Sequence, residues 1–146
     1  MEYPKIILIP IIAGIIAQAS KVVVEAFKTG HIDLRLLNRY GGMPSSHTAL
    51  VVSLTTVAGL IDGINSTAFV IAFIFSLVTI RDAIGFRMYL GQHASLINKL
   101  ISELPDAEKI KFPQHIIERI GHTQLEALMG ALIGLAATFI LWVIVP

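Results

Sequence analysis

The 146 residues are 55% hydrophobic and only 14% charged, with a mean hydropathy of +0.77, whereas soluble domains carry roughly 25% charged residues; composition argues against a water-soluble globule. A formal net charge of +1 gives no basis for binding nucleic acid or an acidic partner. With no cysteine in the chain, disulfides, thiolate metal sites and cysteine nucleophiles are excluded.

The apolar residues fall in long blocks, and four stretches approach the roughly 20 residues a helix needs to cross a hydrocarbon core: 5–27, 44–62, 66–97 and 122–145. The first follows a weak basic region, Met1 to Lys5, and runs into Lys21 and Glu25 without a cleavage site, so it reads as a retained span and not a secretory signal. The second opens at Pro44, a residue favoured in the first helical turn, and stays uncharged until Asp62, where Gly63-Ile64-Asn65 makes a tight connection. The third has Ser66 as its expected N-cap and is apolar through Ile80 before Arg81, Asp82 and Arg87. As one helix it would measure roughly 48 Å, so its C-terminal part is expected to tilt or protrude. Residues 98–121 are mixed in charge and contain Pro105 and Pro113, which predicts an exposed loop with a short surface helix. The last span carries no charge after Glu126. The expected fold is therefore an all-α polytopic transmembrane helical bundle of about four spans, one integral-membrane domain over 1–146. Gly59-x3-Gly63 and Gly130-x3-Gly134 are small-residue patterns that permit close helix packing, either inside the bundle or in a homo-oligomer.

Loops 28–43 and 98–121 hold Lys28, Arg35, Arg39, Lys99, Lys109, Lys111 and Arg119, against Lys5 alone on the other side. The positive-inside rule then places both long loops in the cytoplasm and both termini outside. With this topology Lys21 and Asp82 each lie roughly 24 Å along their spans from the outer side, His47 and His122 start spans two and four, and Arg87 lies near the same interface. Singly, each of these could snorkel or cap a helix. Ionisable residues gathered at one depth favour a functional site, because burying them there is costly.

Two motifs give that site chemistry. Gly41-Gly42-Met43-Pro44-Ser45-Ser46-His47-Thr48 puts flexible glycines and two hydroxyls before a helix start, whose unpaired amides and positive dipole end attract an anion. In Gly121-His122-Thr123-Gln124-Leu125-Glu126 the histidine and carboxylate are i and i+4 neighbours, a spacing expected to hold the imidazole in one tautomer on one helix face. His31 and His115 lack partner spacing, His93 could face a headgroup, and no Asp-rich or His-x-His grouping suggests a metal.

Pro44-Ser45-Ser46-His47 is similar to the Pro-Ser-Gly-His motif of the type-2 phosphatidic acid phosphatase and vanadium haloperoxidase superfamily, and His122-x3-Glu126 resembles its terminal His-x3-Asp. With Asp82–Asn98 (Asp-Ala-x-Gly-x-Arg, then Gly-Gln-x-Ala and Asn), these stretches resemble the superfamily's divergent bacterial and plant branch. The resemblance implies a metal-independent, cofactor-free phosphatase in which His122 attacks phosphorus, Glu126 orients it and His47 protonates the leaving alcohol. Lys21, Ser45 and Ser46 would bind phosphate oxygens, with Gly42, Asp82, Gln92 and Asn98 in support. This chain has no Arg-Pro after Lys21, and the family's arginine six residues before the nucleophile is Ile116 here. The missing guanidinium is assigned to Arg87, with Arg119 and Arg81 as alternatives.

The expected function is hydrolysis of a lipid phosphomonoester, such as phosphatidylglycerophosphate or phosphatidic acid, in a bacterial inner membrane with the site facing the cytoplasm. A polyprenyl (di)phosphate phosphatase, or a non-enzymatic transporter or assembly protein, are the alternatives.

Overall fold

The computed structural model describes residues 3–38, 41–109, 111–112, 115–118 and 120–145; Arg39 and Arg119, both used in the charge count, lie outside them. Helix α1 spans Tyr3–Thr29 with Pro10 inside it, and a 3-10 turn follows at Leu34–Asn38. Helix α2 spans Ser46–Asp62, α3 Thr67–Ile84, α4 Phe86–Glu103, the single turn α5 Asp106–Lys109, and α6 Gln124–Ile144. Three apolar stretches are long enough to cross a membrane, namely Lys5–Phe27, the near-continuous run Thr67–Glu103, and Gln124–Ile144; α2 is a shorter apolar helix. The chain is an integral membrane protein built as a helical bundle.

Two of the expected spans change shape. Pro44 precedes the second helix and does not occupy its first turn, because Ser45 is the N-cap and its Oγ accepts the Thr48 amide at 3.3 Å. The third span is not one helix over 66–97. It stops at Ile84, passes through Gly85 at φ −101° and ψ −87°, and resumes as α4, which reaches Glu103. Glycine has the weakest hold on helical geometry apart from proline, and the 37 residues from Thr67 to Glu103 would extend roughly 56 Å as a straight rod, well beyond a hydrocarbon core. Ser66 caps α3 as expected, accepting the Phe69 amide at 3.1 Å.

The 17-residue helix α2 is the axis of the bundle, packed on α1, α3 and α6. Inside lipid there is no hydrophobic force between helices, so close approach and hydrogen bonds hold them together. The buried faces accordingly use small residues, including Ala13, Ala17, Ala49, Ala72 and Ala137. Ser76 Oγ donates to the Val51 carbonyl at 2.8 Å and lies 2.7 Å from Thr55 Oγ1, tying α3 to α2. Thr138 Oγ1 lies 2.6 Å from Ser53 Oγ and 2.7 Å from the Gly134 carbonyl, tying α6 to α2. Such bonds contribute about 0.6–2 kcal/mol each in a bilayer. Large apolar side chains point outward instead, among them Ile7, Ile15, Ile71, Val78, Ile140 and Val143. A continuous apolar exterior suits acyl chains and would drive association in water.

The Gly130-x3-Gly134 pattern serves the interior, whereas Gly63 is the exposed C-cap of α2 at φ 84°. A Cβ at Gly130 would strike the Ser45 carbonyl, and one at Gly134 would fall 2.5 Å from the Ala49 carbonyl. Since α2 backbone occupies that space, Gly130→Val is expected to lower stability by about 1–3 kcal/mol, read as a lower thermal unfolding midpoint in detergent. An unchanged midpoint would mean that α2 and α6 are not in this contact.

At the end of the bundle formed by the chain termini, Lys5 Nζ sits 4.8 Å above the Trp142 ring. The first turns of α2 and α6 therefore lie at the opposite end.

Candidate functional site

At that opposite end the chain enters α2 through Gly41 and Gly42, whose φ values of 73° and 86° belong to glycine. Their turn sets Ser45 as a buried N-cap whose amide donates to the Glu126 carbonyl at 2.9 Å. The start of α2 is thereby fastened to the first turn of α6. Ser45 Oγ also receives the Thr48 hydroxyl at 3.0 Å, so this side chain builds the turn, while half-buried Ser46 and exposed His47 occupy the first turn itself. First-turn amides have no partner within the helix and point out of its positive end. Lys21, buried on α1, donates from Nζ to the Gly41 carbonyl at 3.1 Å. A fixed cation thus lies under the glycine turn.

His122 sits two residues before the first residue of α6, outside the span. Its amide donates to the Ala83 carbonyl at the end of α3 (3.0 Å), and Gly121 lies against the α4 backbone at Arg87 and Met88, where a Cβ would clash. Here the expected His122–Glu126 helix-face pair is corrected. Thr123 is the N-cap of α6, its Oγ1 accepts the Glu126 amide at 3.2 Å, and Glu126 Oε2 accepts the Thr123 amide at 3.0 Å. The carboxylate closes a capping box, which satisfies two orphan amides at once. Glu126 is buried and remains close enough to act on the imidazole by charge.

The His47 and His122 rings come together, with centroids 6.3 Å apart and planes 78° from parallel. His122 is 4% exposed, and neither ring nitrogen has a hydrogen-bond partner among the described residues. Buried polar atoms are normally satisfied, so an unpartnered pair invites a functional reading. Burial first, then the positive charge of Lys21, pushes the His122 pKa down from 6.5 to about 4, with Glu126 opposing the fall. The imidazole is neutral at physiological pH and has a lone pair to offer. An NMR titration in micelles is expected to show His122 protonating near pH 4. Glu126→Gln, which preserves a capping box, should move that midpoint lower because a charge that raises it is gone. A midpoint at the ordinary 6.5 would contradict the burial.

The protein matches the profile of the divergent PAP2 family over residues 3–137, nearly the whole chain. The chain belongs to that family. It is also 34% identical over 139 residues, covering 88% of each chain, to the uncharacterized membrane protein YuiD of Bacillus subtilis (strain 168). No solved structure matches it.

Within this divergent PAP2 chain the remaining expected residues take different places. Arg87 Nε pairs with Asp82 Oδ2 at 2.7 Å across the Gly85 break, and its charge bears on His122. Arg81 is exposed in the last turn of α3, and Arg119 lies outside the described residues. Gln92 helps to line a cleft of about 300 Å³ that reaches His122, Thr123 and Glu126. Asn98 is not among its lining residues; it bonds the loop ahead of His122, donating from Nδ2 to the Ile116 carbonyl and to Glu118 Oε1, each at 2.8 Å. His31, His93 and His115 are exposed.

Two contributors went unread in the sequence. Thr123-x-x-Glu126 carries the capping-box signature, which was available from spacing alone. Glu118 lines the cleft and is held by Asn98, and no local pattern distinguishes it from its charged neighbours. Among the described residues no group of three His, Asp or Glu side chains is placed to hold a metal ion.

Proposed function

We propose that this protein is a lipid phosphate phosphatase that works through a phosphohistidine on His122. The observation that carries the reading is the meeting of His47 with a buried His122 whose ring has no hydrogen-bond partner among the described residues, beside a glycine turn underlain by Lys21. Membership of a PAP2-related family supports it.

In the proposed reaction the neutral His122 ring attacks phosphorus and the P–O ester bond breaks. Protonated His47 gives its proton to the departing alkoxide. Neutral His47 then takes a proton from water, the hydroxide attacks the phosphohistidine, the P–N bond breaks, and inorganic phosphate leaves with His122 restored. Phosphoryl transfer needs chiefly positioning and charge stabilisation, here assigned to Lys21, the first amides of α2, Ser46 and Arg87. Ser45 and Gly42 shape the turn, and Asp82 aims Arg87. Glu126 stabilises the cationic His122 by charge from its capping position.

The substrate class is a phosphomonoester such as phosphatidylglycerophosphate or phosphatidic acid, made on the cytoplasmic leaflet that the charge count assigns to this end of the bundle. Purified protein in mixed micelles should release phosphate from these lipids faster than from a prenyl diphosphate. Lack of release from every lipid phosphate would end the phosphatase reading. Release confined to the diphosphate would change the substrate and reopen the leaflet.

A further inference from the structure

We propose that Asn98, on the far part of α4, is a positioning residue for His122. This rests on the phosphatase reading for its consequence and on geometry for its existence.

Three residues ahead of His122 meet α4 in antiparallel order. Ile116 meets Asn98, the Glu118 carbonyl meets Gly91, and Gly121 meets Met88. One residue later the His122 amide bonds the Ala83 carbonyl, on the other side of the Gly85 break. Thus α4 acts as a splint, and the register of these residues along it determines where the imidazole falls relative to His47.

Two contacts of the splint are steric. A Cβ at Gly91 would overlap the Glu118 carbonyl, and one at Gly121 would strike the backbone of Arg87 and Met88. Steric contact permits approach and does not by itself fix register. Hydrogen bonds fix register, and Asn98 supplies three. Nδ2 donates to the Ile116 carbonyl and to Glu118 Oε1 (both 2.8 Å), and Oδ1 accepts the Ile116 amide at 3.0 Å. Both amide hydrogens and one oxygen lone pair are used. The side chain thereby pairs with one backbone residue as a neighbouring β-strand would. An extended chain advances roughly 3.3 Å per residue, so a slip of one residue would carry the nucleophile out of attack range, and errors near 1 Å already cost up to about 100-fold in rate.

A residue that only stabilises the loop would lower the unfolding temperature and leave the kinetics of folded molecules unchanged. The test is therefore made on folded protein in micelles with Asn98→Ala, Asn98→Asp and the neighbouring Lys99→Ala as control. Hydrogen exchange by mass spectrometry across 115–123 reads the clamp, and steady-state kinetics on phosphatidic acid reads its consequence. In Asn98→Ala, exchange should rise about tenfold and kcat fall about tenfold, with KM changed less than about twofold. Asn98→Asp, which keeps the acceptor for the Ile116 amide, should fall between Ala and parent, and Lys99→Ala should match the parent. Unchanged exchange and unchanged kcat in Asn98→Ala overturn the proposal even when the parent is active. A parent without activity, combined with faster exchange in Asn98→Ala, defeats the phosphatase reading and leaves the clamp in place.

Discussion

His122→Ala is expected to abolish phosphate release from every substrate, a loss on the order of 10⁴-fold or more, while His47→Ala should discriminate between substrates. The two rings are neighbours, but their settings assign different tasks. His122 is buried, has no hydrogen-bond partner for its ring among the described residues, and is unprotonated near neutrality, which suits a nucleophile. His47 stands exposed on the first turn of α2, where it can exchange protons with water. A general acid contributes roughly 10²–10⁴-fold, and most when the leaving group is a poor one. An alkyl alcohol such as glycerol needs the proton, whereas a nitrophenolate leaves readily without it. His47→Ala should thus lose about 100-fold or more on phosphatidic acid and much less on p-nitrophenyl phosphate. Equal losses on both would make His47 a phosphate ligand and not the acid.

Lys21→Met should separate activity from stability. Lys21 is buried with its amine on the Gly41 carbonyl, and holding a cation away from water is costly for the fold. Methionine preserves most of the volume and removes the charge. The unfolding midpoint in detergent should hold or rise. Phosphate release should fall about 10²–10³-fold, the usual effect of deleting one preorganised electrostatic partner of a transition state. A parallel loss of midpoint and activity would instead mark Lys21 as a strut for the glycine turn. Arginine should not rescue it, since a planar guanidinium does not fit the space of a compact ammonium.

Much of the fold was legible because lipid imposes a simple rule on sequence. Uncharged blocks of helical length give the spans, and Ser66 announces its helix by the hydroxyl before the apolar run. The break at Gly85 was not legible, since a lone glycine inside an apolar helix is commonly tolerated. What distinguishes this one is tertiary: the turn carrying His122 docks against the last residues of α3 and the first of α4. The meeting of His47 with His122 could be expected only from depth in the membrane and from family resemblance, because the two are far apart along the chain. Glu126 shows the limit of spacing arguments. Glu126 is spaced both for an i,i+4 pairing with His122 and for a capping box with Thr123, and in the structure its carboxylate closes the box while His122 lies ahead of the helix. Asn98 stood in a resembling motif, but its work depends on a loop whose path along α4 leaves no periodic trace.

A covalent bond between phosphorus and His122 is the central step of the proposed mechanism. Protein mixed with ³²P-labelled phosphatidic acid and quenched in alkali within the first turnover should carry label that survives base, is lost in acid, and maps to the peptide containing His122. His47→Ala should gain that label more slowly than the parent, and His122→Ala should carry none. Phosphate release by the parent with no acid-labile label at His122, or with equal label in His122→Ala, would contradict the mechanism.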